Sequence, residues 1–408
     1  MNSHNEAKKT VILLGAGASM DAGVPGSTNM TQQIVEALDT FQNKRSGITH
    51  AVNYALGAMI AHRTANGASA YAGIDVEDLF SAVQMLAERE TLEIAPFVQW
   101  SPTLSEIKPT PSMPAFFDRD FREGLERGTG FKTPSRMIKK AFEELNASET
   151  RATKTLYESL QKELLSALTK LVSVTDKDVS YLSPLLKMST GTAQIATLNY
   201  DRSIELLCEQ NNVSLDTGIN GWTGGSDWEW SPGAEVRLLK IHGSIDWRIK
   251  QEDGLGGIPE TKVVTEEDGL ERHFSVPGVV FGARGKLRAD GPFLSMLREF
   301  ENMLSDAERL LVVGYSFRDE HINVALTRWI NSSKLRDLTV IDPSFNDDPR
   351  TFGQKNFSSQ LVSASTERNW VAEGRKLNLR VFNETASNGL KANDLWSKEP
   401  VGTSPNAN

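Results

Sequence analysis

One recurring pattern constrains the fold more than any other feature: short apolar runs that each stop at a glycine or a small polar residue. Thr10–Leu14 ends in Gly15-Ala16-Gly17, Gln194–Leu198 in Asn199, and Arg237–Ile241 in His242-Gly243. Leu310–Val313 ends in Gly314, Leu338–Ile341 in Asp342-Pro343, and Val276–Phe281 in Gly282. Such runs, rich in β-branched residues and bounded by turn formers, read as buried strands. Helical spacing at Thr28–Leu38 and at about 202–210, 292–307 and 320–331 separates several of them. Strands alternating with helices predict an α/β domain with a parallel sheet.

The stretch 47–188 differs. A helix with an acidic first turn is expected from Asp75-Val76-Glu77-Asp78 to Leu86. Segments 116–127, 134–146 and 151–173 also look helical, and the prolines of 101–114 make that stretch a loop. The expected organisation is a sheet domain of 1–46 and 189–345, a mainly helical insertion at 47–188, and a C-terminal segment at 346–408. That last segment is expected to hold a strand at Leu377–Phe382, a short helix at Leu390–Trp396 and a disordered end from Pro400. Residues 212–233, rich in Gly, Trp and Asp, read as a surface loop.

Composition excludes several function classes. A chain of 408 residues with a net charge of −9 and 24% charged residues is not expected to bind nucleic acid or anionic membranes broadly, a local basic patch being the alternative. Its single cysteine, Cys208, rules out an internal disulfide and any multi-cysteine zinc site. The setting Ile204-Glu205-Leu206-Leu207-Cys208 makes it a buried structural thiol. The apolar run after Lys8-Lys9 is too short for a signal peptide, and no stretch is long enough to span a membrane, so a cytoplasmic protein is expected.

The strand-end residues are the candidates for chemistry, and each has a plain structural alternative. Gly15-Ala16-Gly17-Ala18-Ser19, followed by Gly23-Val24-Pro25-Gly26, suits a backbone that approaches a diphosphate. Met20 stands where the third glycine of the usual dinucleotide pattern belongs, and an ordinary strand-to-helix turn explains the glycines equally well. Thr197-Leu198-Asn199-Tyr200-Asp201 sits where ligands gather on open sheets, yet Asp201 also suits a helix cap. His242 is the only histidine in a glycine-flanked strand-to-loop setting, and histidine is the usual general base near neutral pH. Gly314-Tyr315-Ser316-Phe317 and Asp342 end two further strands. Asp342 suits a ribose hydroxyl or only a turn.

In combination these motifs resemble the sirtuin superfamily, and in particular the divergent SIR2-like domains of bacterial anti-phage NADases. The sirtuin Gly-Ala-Gly-x-Ser turn and Gly-x-Pro look like Gly15–Ser19 and Gly23–Pro25. The Thr-Gln-Asn-x-Asp motif looks like Thr197–Asp201, and the catalytic His-Gly like His242-Gly243. Val-Phe-Phe-Gly is similar to Val279–Gly282, and Gly-Thr-Ser-Leu to Gly314–Phe317. The order holds across about 1–345. Two departures matter: the four-cysteine zinc module is absent, and Gly26-Ser27-Thr28 replaces the sirtuin Asp-Phe-Arg. The acidic helix start at Asp75–Asp78 also resembles the insertion of SIR2-like defence proteins.

The resemblance implies a Rossmann-like parallel sheet that binds NAD, with no zinc, and hydrolysis of the nicotinamide–ribose bond. It implies Asn199, His242 and Asp201 as catalytic residues. It places the dinucleotide on Gly15, Ala16, Gly17, Ser19, Pro25, Gly314, Ser316 and Asp342. A deacylase or ADP-ribosyltransferase, or a non-catalytic NAD-sensing module of a larger assembly, are the other readings. A homo-oligomer is expected, restrained until a partner protein or phage component activates it.

Overall fold

The computed structural model describes residues 8–69, 72–89, 92–93, 154–174, 178–188, 191–222, 224, 227–253, 259–265, 276–279, 291–346, 356–367, 374–392, 395–397 and 400–401. The expected loop at 101–114, the expected helices at 116–127 and 134–146, Val280-Phe281-Gly282 and residues 402–408 lie outside these. The chain divides into two compact units, Met1–Gly26 with Val172–Asn408 and Ser27–Leu171.

The first unit carries the strands. They are β1 (Thr10–Leu14), β2 (Ala193–Thr197), β3 (Leu215–Asp216), β4 (Val236–Lys240), β5 (Gly243–Asp253), β6 (Pro259–Thr265), β7 (Val276–Val279), β8 (Arg309–Val313), β9 (Leu335–Ile341) and β10 (Lys376–Phe382). Seven form one sheet in the order β10-β9-β8-β1-β2-β4-β3. Every neighbouring pair in it is parallel. With the two-residue β3 set aside at the edge, the order is 3-2-1-4-5-6, that of a Rossmann sheet. The switch point, where successive strands begin to add on the other side, lies between β1 and β8.

The central strand shows why the sequence forms this sheet. All five residues of β1 are buried. Val11 and Leu13 join a core with Phe293, Met296 and Phe300 of the helix Phe293–Ser305 and with Ile322 and Leu326 of the helix Glu320–Asn331. Ile12 and Leu14 join a second core with Leu182, Leu185, Ile204 and Leu207. A strand covered on both faces requires the unbroken apolar run that the sequence shows.

Three features of this unit depart from expectation. Residues 243–279 contribute a second sheet, order β6-β5-β7, whose paired strands are antiparallel. Only its last strand was legible, because β5 and β6 mix charged and apolar residues without a clean alternation. The loop 212–233 is partly internal: Ile219 and Trp222 are buried in the first core. The short helix near the C-terminus is Ala386–Gly389, not Leu390–Trp396. It stops at a glycine whose added Cβ would lie 2.3 Å from Ile341, and Leu390 and Leu395 bury themselves from turns.

The second unit is helical. Its helices are Ser27–Leu38, Phe41–Ser46, Ile48–Ala65, Val76–Glu88 and one through 154–171. Asp75 caps Val76–Glu88, its carboxylate accepting from the amide of Glu77. Ser27–Leu38 packs against Ile48–Ala65 and Val76–Glu88, so the boundary falls at Ser27 and not near residue 47. The 3-10 turn Ser180–Lys187 packs on β2 and on the helix Ser203–Asn211, which ends the helical unit at Leu171. None of the helices among the described residues is long and apolar enough to cross a membrane.

The sheet is tied at its N-terminal edge by Asp337 of β9. Burial pushes this carboxyl up, but hydrogen bonds from Lys8 (2.7 Å), Asn378 (2.8 Å) and Arg380 (3.2 Å) outweigh it and hold the pKa below the ordinary value. A depressed carboxyl contributes stability above its unfolded pKa and loses it as pH falls through the folded one. Asp337→Asn is therefore expected to cost about 1–3 kcal/mol near neutral pH. It should also shrink the loss of stability between pH 4 and lower pH, read from urea unfolding at stepped pH.

Candidate active site

The parallel register brings the strand ends level. Leu14 lies opposite Thr197 and Val313, Thr197 opposite Lys240, and Val313 opposite Ile341. Gly15, Asn199, His242, Gly314 and Asp342 therefore leave the sheet at its C-terminal edge, where open α/β sheets bind ligands.

The glycines have a cause that the sequence did not show. Gly15 donates to Val313 O and Gly17 to Gly314 O, each at 2.9 Å. A Cβ on Gly15 would lie 2.6 Å from Gly314 O, and one on Gly17 2.7 Å from Gly314 Cα. Gly314 itself has φ +63°, and its Cβ would fall 2.3 Å from the amide nitrogen of Ala18. The three glycines let two strand-end loops touch at the switch point. The amides of Ala18 and Ser19 are also engaged, with Gly15 O and Ala16 O. Ala16 is exposed in the first loop and Ser316 and Arg318 in the second, and Pro25 is half-buried.

Asn199 is buried at the end of β2. Its amide nitrogen donates to Gly15 O at 2.9 Å and to Ser19 Oγ at 3.0 Å, while Ser203 Oγ lies 3.4 Å from Ser19 Oγ. This fixes the carboxamide and leaves Oδ1 without a protein partner among the described residues. Asp201 accepts from the amide of Ser203 at 2.9 Å, the turn-forming role that the sequence left open. Asp342 likewise accepts from Ser344 N (2.7 Å) and Ser344 Oγ (2.6 Å), so it builds its own turn. Ser19 is buried within the network rather than presented to solvent.

A small pocket, with a volume of about 10 Å³, lies here. Leu14, Leu182 and Ile204 supply its apolar wall, and Ser19, Thr197, Asn199, Asp201, Ser203 and Glu205 its polar one. Tyr181 stands nearby with its hydroxyl on Ala18 O at 2.7 Å; burial, then Asp201 and Asp21, push its phenol well above the usual range.

Beneath the pocket lies a charged pair that sequence reasoning missed. Lys240, the last residue of β4, is fully buried. Its Nζ donates to Glu205 Oε1 at 2.6 Å and to Asp201 O at 2.7 Å. Burial pushes the Glu205 carboxyl up against the opposing pull of Lys240. The signal was present: a lysine inside Leu238-Leu239-Lys240-Ile241 and a glutamate beside Ile204 are charges in apolar runs.

His242 is also buried, and its Nε2 lies 2.9 Å from Asp319 Oδ2. Asp319 was not foreseen, because its spacing before Glu320-His321 signals a helix cap and nothing more. The neighbouring Gly243 has φ +84°, and a Cβ there would lie 1.9 Å from Gly278 O. That glycine lets β5 cross β7 directly after the histidine.

Residues 193–360 match the family model of the SIR2-like domain. Over this span the chain is similar to the SIR2-like domain. The matched span holds β2, β4, β8 and β9, and β1 with its glycine turn joins it by pairing with β2 and β8. No curated protein matches the sequence. Among solved structures, a complex titled Sir2-p53 peptide-NAD+ aligns at 12% identity over 95% of this chain and 92% of that one, with a TM-score of 0.34. Sir2Tm bound to a propionylated peptide aligns at 13% identity over the same shares, with a TM-score of 0.31.

The β6-β5-β7 sheet follows His242 directly and ends at Val279. It is fastened to the main core by Trp247, which is buried, and by Ile249 and Val263 packed on the same cluster. Gly278 lies against Trp247, its added Cβ 2.6 Å from the tryptophan Cβ. Cys208 sits elsewhere, buried on the helix Ser203–Asn211, where burial first and then Glu205 push its thiol up to about 12.

The buried pair under the pocket has a measurable signature. Lys240→Met leaves Glu205 buried without its partner and should destabilise the protein by about 3–5 kcal/mol. Adding Glu205→Leu should restore most of that loss, measured as urea midpoints of the two variants against the parent.

Proposed function

We propose that this chain hydrolyses NAD+ to nicotinamide and ADP-ribose. One observation carries the reading: Asn199 and His242 end two strands of the same sheet edge, beside the switch point, with the Asn199 carboxamide held by two bonds from its nitrogen and its oxygen open. A module that only senses NAD needs neither an oriented amide oxygen nor a histidine paired with a carboxylate.

The chemistry asks little of an acid. The bond between the pyridinium nitrogen and ribose C1′ breaks with its electron pair moving to nicotinamide, which leaves neutral. What remains is an oxocarbenium-like ribose that needs stabilisation and a placed water, as in glycoside hydrolysis. In this reading the Asn199 oxygen holds the water and the nicotinamide-side ribose. Water adds at C1′, and its proton passes to His242 or to solvent. Asp201 places negative potential near the cationic ring and its amide. The diphosphate lies along the Gly15–Ser19 turn and the adjoining Pro25 segment, and the adenosine side lies against Gly314, Ser316 and Asp342. Binding of that remote half orients the reacting bond.

Unrestrained hydrolysis would drain the host's own NAD+. This fits abortive infection as the setting, with activity held back until a phage component or partner protein acts on an oligomer of the chain. Size-exclusion chromatography that finds a fully active monomer would argue against the oligomer.

Purified protein is expected to release nicotinamide and ADP-ribose in equal amounts from NAD+. Asn199→Ala and His242→Ala should each lower turnover by about 10²–10³-fold while circular dichroism shows the fold intact. Tight NAD+ binding without turnover would favour the sensing module. Nicotinamide release that depends on an acylated peptide or another acceptor would favour group transfer.

A further inference from the structure

We infer that Asp319 is a positioning residue that sets the tautomer of His242. The consequence for turnover rests on the NAD hydrolase reading; the assignment of the proton does not.

The two residues come from opposite halves of the sheet. His242 follows β4, and Asp319 follows β8, with β1 and β2 between those strands. At about 4.8 Å per strand the loop after β8 must reach roughly 14 Å across the sheet edge to meet the histidine. That reach is held firmly. Asp319 Oδ1 accepts from the amides of His321 (3.0 Å) and Ile322 (3.4 Å), capping the helix Glu320–Asn331. Its own amide donates to the Tyr315 hydroxyl at 3.2 Å, and that hydroxyl lies 3.0 Å from Asn323 Oδ1. Asn323 in turn donates to Phe317 O at 2.8 Å. Phe317 has φ +57°, a strained value for a non-glycine residue, so the loop keeps a conformation that its own backbone disfavours.

The two carboxylate oxygens therefore have separate tasks, one on the helix amides and one on His242 Nε2 at 2.9 Å. An ionised carboxylate only accepts hydrogen bonds, so Nε2 carries the proton and the lone pair of the neutral ring sits on Nδ1. In that tautomer Nδ1 accepts from a ribose hydroxyl or from the attacking water; in the other it would donate. The carboxylate does not take the proton itself. It decides which nitrogen can.

Asparagine at this position is the discriminating substitution. It caps helices as well as aspartate does, and its oxygen stays with the helix amides, which need an acceptor. Its NH2 group then faces Nε2, and the ring must protonate Nδ1 instead. Asp319→Ser also caps the helix but is too short to reach the histidine. A residue that only capped the helix would tolerate both changes.

The test has two arms on the full chain. In the first, Asp319→Asn is expected to lower kcat for NAD+ by about 10²–10⁴-fold, as an inverted tautomer does in a catalytic triad, with KM little changed and thermal stability retained. Asp319→Ser should lose less than Asp319→Asn. In the second, ¹⁵N-histidine labelling with a His242→Gln variant to assign the ring should show Nε2 protonated in the parent and Nδ1 protonated in Asp319→Asn. Full kcat in Asp319→Asn, or a parent ring protonated on Nδ1, overturns the inference. If the parent releases no nicotinamide, the hydrolase reading fails, while the nitrogen resonances still decide the role of Asp319.

Discussion

The site depends on one close contact, that of the Gly15–Gly17 turn with Gly314. Two loops that leave adjacent parallel strands have only the strand spacing between them, and a side chain on either would push them apart. Here Gly17 donates to Gly314 O and Gly15 to Val313 O, so the loops continue the sheet's pairing beyond its last residues. The positions of the neighbouring groups follow. Gly15 O faces the Asn199 amide, and the short helix that starts at Gly17 carries Ser19 to the other side of that amide. A Cβ at any of the three glycines would move the acceptor that orients Asn199 as well as the backbone beside it.

Near this contact a deeply buried charge is held by two partners. Lys240 has no exposure at all, yet its Nζ has both a carboxylate and a carbonyl. A charge placed this deep is tolerated when paired and damaging when orphaned. Its second bond, to Asp201 O, connects the end of β4 to the turn after β2. The same turn is closed by Asp201 on Ser203 N and by Thr197 Oγ1 on Asn199 N. The segment 197–203 therefore has little freedom before any ligand arrives. Fixed dipoles of this kind stabilise developing charge without the cost of reorganising at the moment of reaction.

How much of this was legible follows from the reach of each signal. The central strands of the main sheet stood out because they are buried on both faces, and the helices 203–211, 293–305 and 320–331 because their apolar spacing is regular, whereas the two-residue, half-buried β3 fell inside the stretch read as a loop. The strand-end residues Asn199 and His242 could be named, since a sheet edge is implied once the strands are. What the sequence did not disclose is long-range. Nothing local tells that Asp319 meets a histidine 77 positions away, or that the second glycine turn exists to admit the first. The 27–38 helix was assigned to the wrong unit for a related reason: its own periodicity is clear, but only packing decides which neighbours it covers. The antiparallel β5 and β6 were missed because a strand that is half-buried and rich in charge has no pattern distinct from a loop.

Two halves of the sheet meet over β1 and β2 through the His242–Asp319 bond, and this bears on the proposed chemistry. Nicotinamide departs as a neutral molecule from a cationic ring, so the reaction consumes positive charge on one side of C1′ while building it on the other. A site for that change gains from acceptors more than from donors. The described groups match: the Asn199 nitrogen is turned away into Gly15 O and Ser19 Oγ, Asp201 and Glu205 line the pocket, and the proton of His242 is drawn toward Asp319. On the hydrolase reading, the protein backbone and its buried carboxylates take up the donors, and what they leave for the ribose and its water is a set of lone pairs.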